Sequence, residues 1–358
     1  MVTVEQIRAV LSQVMDPELD KDLVTLGMVK DIKIKETVVL VAIELTTPAC
    51  PLKARIRQDV VAAIQNIPGV EQVQVDFSAQ GQAFWDRAPL KGIRRTIAIG
   101  SGKGGVGKST VAVNLALALA ETGAKVGLLD ADIYGPTVPL MLNVTTERPD
   151  WKDERIWPII AYGIKVMSIG FLLPSSEDPV VWRGPMLSGA LTQFLRQVEW
   201  GELDYLLIDL PPGTGDIPIT LVQNIPLTGA IIVVTPQHVA AAIGTKTLRM
   251  FQNVSISVPI LGILENMGAF DCPHCHETTT IFGGGGGLAL AEREGVPFLG
   301  TLPLHWQLRE GGDRGLPMLV SDPTADLAEQ FRAIARKLDH SLKKADATAM
   351  PLIELPLI

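Results

Sequence analysis

The chain has 358 residues with 31 basic and 39 acidic side chains, a net charge of −8. That balance argues against non-specific nucleic-acid binding, which needs a basic field, and no apolar run approaches the length that spans a bilayer. The length suits one large domain with a small one, and the excess of Ala, Val, Ile, Leu and Gly over aromatics suits a parallel sheet covered by helices.

Met1-Val2-Thr3-Val4-Glu5 has no basic stretch followed by an apolar one, so no secretory signal is expected. Three cysteines make no disulfide framework, and a reducing cytoplasm is the expected compartment. Residues 1–86 read as a small α+β unit. Val4, Ile7, Val10, Leu11 and Val14 recur at helical spacing, and Asp16-Pro17-Glu18 is expected to end that helix. Thr37–Leu45 is a β-rich run. Thr46-Thr47-Pro48-Ala49-Cys50-Pro51 is a loop opening a helix to about Asn66, with Leu52, Ile56, Val60, Ala63 and Ile67 on its buried stripe. Pro68-Gly69 breaks it, and Val70–Phe77 alternates as a strand. Cys50 stands near a helix N-terminus, where the dipole lowers a thiol pKa; a small buried hydrophobe is the commoner use of a lone cysteine. Residues 87–95, proline, glycine and basic side chains among them, read as a linker.

A phosphate-binding loop follows. The apolar run Ile97-Ala98-Ile99 leads into Gly102-Lys103-Gly104-Gly105-Val106-Gly107-Lys108-Ser109, and Thr110 to Ala120 continues as a helix. Glycines let backbone N–H groups turn inward around a phosphate, and the helix adds its positive end. Lys108 would reach the β- and γ-phosphates, and the Ser109 hydroxyl would ligate Mg²⁺. The strand Lys125–Leu129 delivers Asp130-Ala131-Asp132 to the crevice side of a parallel sheet. Asn143–Tyr162, with Pro149 and Pro158, is an irregular excursion, and Ile164–Ile169 returns as a strand. Trp182-Arg183-Gly184-Pro185 precedes a helix from Met186 to about Val198. Tyr205–Asp209 is a buried strand ending in an acid placed to hold Mg²⁺, and Leu210-Pro211-Pro212-Gly213-Thr214-Gly215-Asp216 has the glycines of a phosphate-sensing switch. Ala230–Val234 is a strand, a helix covers about Val239–Val254, and Pro259–Leu264 is a strand ending in Glu265-Asn266-Met267. The Asn266 amide can both donate to and accept from an adenine edge.

Cys272-Pro273-His274-Cys275 places two thiolates to share one metal centre, and near a βαβ pattern the same spacing also suits a dithiol redox motif. One chain offers two ligands there, and two cysteines from each subunit of a symmetric dimer make four. Four thiolates suit a [4Fe–4S] cluster or zinc alike. Gly283–Gly287 reads as a flexible loop, Phe298–Leu302 as the last strand, and Thr324–Lys344 as a helix with Leu327, Phe331, Ile334, Leu338 and Leu342 on its core face. The domain bearing the phosphate loop is expected to span 96–344, with residues 345–358 as a tail.

The loop with its extra lysine, Lys103, resembles the deviant Walker A motif shared by partition ATPases, MinD and the nitrogenase iron protein. The resemblance implies a P-loop NTPase that forms a homodimer on ATP, with Lys103 reaching the partner's nucleotide. It also implies that Asp132 orients the attacking water with Asp130 in support, and that Asn266 recognises the base. The succession of this loop, Asp130-Ala131-Asp132, Asp209–Asp216, Glu265-Asn266-Met267 and Cys272–Cys275 is similar to Mrp-type iron–sulfur cluster carriers. Asp16-Pro17-Glu18 with Thr47–Pro51 resembles the MIP18-like domain of iron–sulfur assembly factors, which implies a part for Cys50 in cluster handling. Together they imply ATP hydrolysis and a [4Fe–4S] cluster held by Cys272 and Cys275 at the dimer interface. The implied partners are assembly scaffolds and apoprotein acceptors, without nucleic acid or membrane. Two other readings stand beside this one: a MinD-like positioning ATPase, which needs no cysteine pair, and a zinc-bridged dimeric ATPase chaperone.

Overall fold

A computed structural model describes residues 2–16, 21–35, 38–45, 53–70, 72–79, 90–133, 135–172, 195–253 and 256–348. The chain divides into two compact units, residues 1–86 and 87–358. Pro17-Glu18, the loop bearing Cys50, Trp182–Pro185 with the start of its helix, and residues 349–358 lie outside the described residues.

The first unit consists of α1 (Val4–Leu11), β1 (Val29–Lys35), β2 (Val38–Leu45), α2 (Lys53–Gln65) and β3 (Gln72–Ala79). Thr3 starts α1 by a reciprocal cap: its hydroxyl accepts from the Gln6 N–H, and the Gln6 side chain accepts from the Thr3 N–H. The helix stops at Leu11, earlier than the proline signal implied, and Met15–Asp16 pairs instead with Lys21–Asp22 as a short ribbon. β1 and β2 are antiparallel, whereas β2 and β3 are parallel with α2 as the crossover. Ile7, Leu11, Val41, Ile43, Ile56 and Val60 meet in one core. Ile64, four residues after Val60, is fully buried in the stripe of α2, and Ala63 and Ile67 are partly buried against the same core.

The second unit is a doubly wound sheet. Its main elements are β4 (Thr96–Ser101), α3 (Lys108–Ala120), β5 (Val126–Asp130), β6 (Ile159–Ala161), β7 (Ile164–Ser168), β8 (Tyr205–Asp209), α4 (Asp216–Asn224), β9 (Gly229–Val234), α5 (His238–Gln252), β10 (Ile260–Glu265), α6 (Gly286–Glu294), β11 (Phe298–Thr301) and α7 (Asp326–Thr348). The strand order is β6-β7-β5-β8-β4-β9-β10-β11, parallel throughout except for the β6–β7 hairpin at the edge. β4, β5, β8 and β9 are buried along their whole length, which is why they read as unbroken apolar runs. The winding changes direction at β4, so the crevice opens at its C-terminal end, where the glycine loop begins. Leu327, Phe331, Ile334, Leu338 and Leu342 of α7 are all buried, and the helix continues past Lys344 to Thr348. The excursion over Asn143–Tyr162 is more regular than expected: Asp150–Lys152 and Arg155–Trp157 form a hairpin ahead of β6.

Candidate functional site

The glycine loop leaves β4 and enters α3 without a side-chain cap, so the first N–H groups of the helix face the loop interior. Gly105 and Gly107 have φ of 75° and 81°, a region that side chains disfavour. Gly102 is required for a different reason: a Cβ there would lie 2.8 Å from the backbone of Ile243 on α5. The Ser101 hydroxyl donates to the Lys103 carbonyl at 3.0 Å, and the Gly213 N–H donates to the Ser101 carbonyl at 2.8 Å. The second pins Gly213 against the loop. Gly104 is exposed, Lys103, Ser109 and Thr110 are half-buried, and Val106 is buried.

Lys108 is 6% exposed and stands at the centre of the site. Its Nζ lies 2.5 Å from Asp209 Oδ1, 3.8 Å from Asp132 Oδ2 and 3.4 Å from Ser109 Oγ. Asp209 Oδ2 is buried with no hydrogen-bond partner among the described residues. A carboxylate oxygen with unused lone pairs, next to a hydroxyl that shares Lys108 with it, is a donor set of the hard-oxygen kind that Mg²⁺ takes. Asp130 is fully buried and well bonded: Oδ1 accepts from the Asp132 N–H at 3.1 Å, and Oδ2 accepts from the Val138 N–H at 3.2 Å and the Ser168 hydroxyl at 3.1 Å. Burial, then the charge of Asp209, pushes the Asp130 carboxyl up to about 8, against the opposing pull of Lys108. Asp130 thus anchors the segment that presents Asp132.

Asn266, just past β10, touches the loop directly. Its Nδ2 donates to the Val106 carbonyl at 2.8 Å, and its Oδ1 is buried with no hydrogen-bond partner among the described residues. Gly107 packs on the same amide, so this glycine is needed for close approach as well as for its dihedral.

The two cysteines occupy the tip of a hairpin made by Phe270–Asp271 and Thr278–Thr279. The Cys272 N–H donates to the Glu277 carbonyl at 3.1 Å, the His276 N–H donates to the Cys272 carbonyl at 2.9 Å, and His276 has φ of 60°. Cys272 is half-buried and Cys275 exposed, both as free thiols. Donation from the Cys275 and His274 backbone N–H groups, and then from the Cys275 thiol, holds the Cys272 thiol below its ordinary range. Among the described residues no three His, Cys, Asp or Glu side chains are grouped to hold one metal ion. His274 and His276 are exposed at the same tip.

The structure therefore gathers Lys108, Ser109, Asp132 and Asp209 around one point, with Asn266 on the loop's flank. Two residues escaped sequence reasoning. Ser168, at the end of β7, bonds Asp130, and Glu265, at the end of β10, is buried beside Asn266. Only their positions at strand ends on the crevice side could have marked them.

Residues 92–339 match the family model described as NUBPL iron-transfer P-loop NTPase, and residues 4–77 match that described as iron–sulfur cluster assembly protein. The iron–sulfur cluster carrier protein of Synechocystis is 47% identical over 346 residues, covering 94% of this chain and 97% of that one. The iron–sulfur cluster transfer protein NUBPL of Dictyostelium discoideum is 47% identical over 72% of this chain and 79% of that one. Among solved structures, a nucleotide-binding protein of Archaeoglobus fulgidus in complex with ADP is similar at 42% identity and a TM-score of 0.59, over 68% of this chain and 93% of that one. The cell division ATPase MinD of Pyrococcus furiosus shares the fold at 22% identity and a TM-score of 0.50, over 69% of this chain and 99% of that one. The chain belongs to the NUBPL iron-transfer P-loop NTPase family.

Proposed function

We propose that this chain is an ATP-binding and ATP-hydrolysing carrier that holds a [4Fe–4S] cluster at a homodimer interface and passes it to apoproteins. The observation that carries the reading is the shared edge of the sheet. The phosphate loop leaves β4 and the thiol hairpin follows β10, both at C-terminal strand ends, with Asn266 touching the loop between them. The phosphates of ATP would lie along the Gly102–Thr110 backbone, with Lys108 exchanging Asp209 for a phosphate oxygen. Mg²⁺, held by Ser109 and Asp209, would supply charge neutralisation at the β- and γ-oxygens. Asp132 orients the attacking water, Asn266 reads the base, and Lys103 reaches the partner's nucleotide. The cluster is cargo: Cys272 and Cys275 from each of two copies give the four thiolates it needs. Free thiols suit a reducing compartment such as the cytoplasm. Residues 1–86 form the domain that serves assembly, and 96–344 the ATPase.

The test is anaerobic reconstitution of the full chain with iron and sulfide, with both quantified per dimer. About four of each are expected, and none in the Cys272→Ser, Cys275→Ser variant. Tight zinc in place of iron would favour a zinc-bridged chaperone. The absence of any metal would leave a positioning ATPase.

A further inference from the structure

Glu265 ends β10 and is 3% exposed, a carboxylate set between two sites. Its Oε2 accepts from the Gly287 N–H at 2.6 Å, and its Oε1 lies 3.5 Å from the Thr301 hydroxyl. Gly287 belongs to the first turn of α6, so the carboxylate meets the positive end of that helix. The chain leaves Glu265, passes both cysteines and returns to Gly287. Glu265 therefore closes the base of the loop that bears Cys272 and Cys275. The next residue, Asn266, grips the phosphate loop through the Val106 carbonyl.

The connection has little slack. A Cβ at Gly287 would lie 2.9 Å from Glu265 Cβ and 3.1 Å from Val234 Cγ2, and one at Gly286 would strike the Pro236 carbonyl. Two of the five consecutive glycines thus serve close packing at the loop base. The outgoing strand is fastened too: the Leu302 N–H donates to the Glu265 carbonyl at 2.8 Å, the Gly268 N–H to the Leu302 carbonyl at 2.9 Å, and the Leu304 N–H to the Ala269 carbonyl at 2.8 Å. The planar peptide between Glu265 and Asn266 fixes their spacing. One grips the phosphate loop and the other the base of the thiol loop.

We infer that Glu265 is a positioning residue that couples nucleotide at the phosphate loop to the thiol hairpin. A shift of the Val106 carbonyl on nucleotide binding moves Asn266, and Glu265 carries that movement to Gly287 and the hairpin. The inference rests on the reading of Gly102–Ser109 as a nucleotide site, and that reading is measured separately in the same experiment.

The experiment uses the full, cluster-free chain. Alkylation of Cys272 and Cys275 is followed by peptide mass, with and without a non-hydrolysable ATP analogue and Mg²⁺, while calorimetry gives the nucleotide affinity. In the unmodified chain nucleotide is expected to slow alkylation about fivefold or more, the usual scale of coupling between sites. In Glu265→Ala the ratio is expected to fall close to one with nucleotide affinity little changed. Glu265→Gln, which keeps an acceptor in place, should retain most of the ratio. Equal ratios in the unmodified and Glu265→Ala chains overturn the inference, as does an unmodified chain that binds nucleotide with no change at its thiols. Should Glu265→Ala fail to fold, hydrogen exchange on the unmodified chain decides the matter. Nucleotide is expected to slow exchange over residues 281–290, and unchanged exchange there overturns the coupling. A chain that binds no nucleotide overturns the nucleotide reading and the coupling together.

Discussion

Asp130 and Asp209 stand in register at the ends of the neighbouring parallel strands β5 and β8, and neither has exposed surface. Burial, and then repulsion from the charge of Asp209, raises the Asp130 carboxyl. Lys108 sits against Asp209 and offsets part of that repulsion. The lysine that would bind phosphate is thus also structural in the described state.

Lys108→Met should therefore do more than abolish nucleotide binding. Removing one partner of a buried ion pair typically costs about 3–5 kcal/mol. Urea unfolding of the nucleotide-free variant is expected to show a lowered midpoint, with the slope unchanged. A midpoint equal to that of the unmodified chain would mean that Asp209 finds another partner.

Gly107→Ala and Gly105→Ala separate two uses of glycine. Both residues have positive φ, which costs an L side chain about 1–2 kcal/mol. A Cβ at Gly107 would in addition strike the Asn266 amide, whereas a Cβ at Gly105 has no neighbour within 4 Å. Nucleotide affinity by calorimetry should fall at least about tenfold more in Gly107→Ala, equivalent to about 1.4 kcal/mol. Equal losses would dissociate Asn266 from nucleotide binding.

Acid should loosen the base of the sheet at a defined place. The Tyr205 hydroxyl accepts from Arg95 at 2.7 Å and donates to Asp339 at 2.5 Å. Burial disfavours the Asp339 charge, but hydrogen bonds from Lys343 and Tyr205 outweigh it and hold the carboxyl below its ordinary 3.8. A depressed carboxyl pKa contributes stability above the unfolded value, lost as pH falls through the folded one. Burial, and then the bond to Asp339, pushes Tyr205 up to about 12, so its contribution is present below 10 and lost as pH rises through 12. Asp339→Asn should flatten the acid limb of a plot of unfolding free energy against pH below about 4. An unchanged acid limb would assign the acid sensitivity elsewhere.

Core and surface aromatics should differ sharply. Phe331 on α7 is fully buried, whereas Trp151 is 61% exposed. Phe331→Ala should cost about 3–5 kcal/mol, and Trp151→Ala should stay within about 0.5 kcal/mol. Thermal unfolding of the two variants checks the pair. A large loss in Trp151→Ala would show that its indole is engaged in solution.

Much of the architecture was legible because it is locally encoded. The strands around β4 are apolar runs because both of their faces are covered, and the core stripe of α7 recurs at helical spacing. The glycine loop could be read because its chemistry lies within eight consecutive residues. Less legible was the hairpin over Asp150–Trp157, whose short strands lie below the length at which alternation speaks. So was the early end of α1, after which Met15–Asp16 pairs with Lys21–Asp22 ahead of the proline.

The sequence by itself determined which residues could bind phosphate, hold a divalent cation or carry a thiolate, since each needs only the right side chains at short spacing. Tertiary structure decided which of them meet. Lys108 and Asp209 are 101 residues apart, Asn266 and Val106 are 160 apart, Ser168 and Asp130 are 38 apart, and Glu265 and Gly287 are 22 apart. Those meetings depend on strand order and on where each strand ends. Periodicity along a chain reports the geometry of one element, and the side-by-side order of elements is settled only when their apolar faces pack.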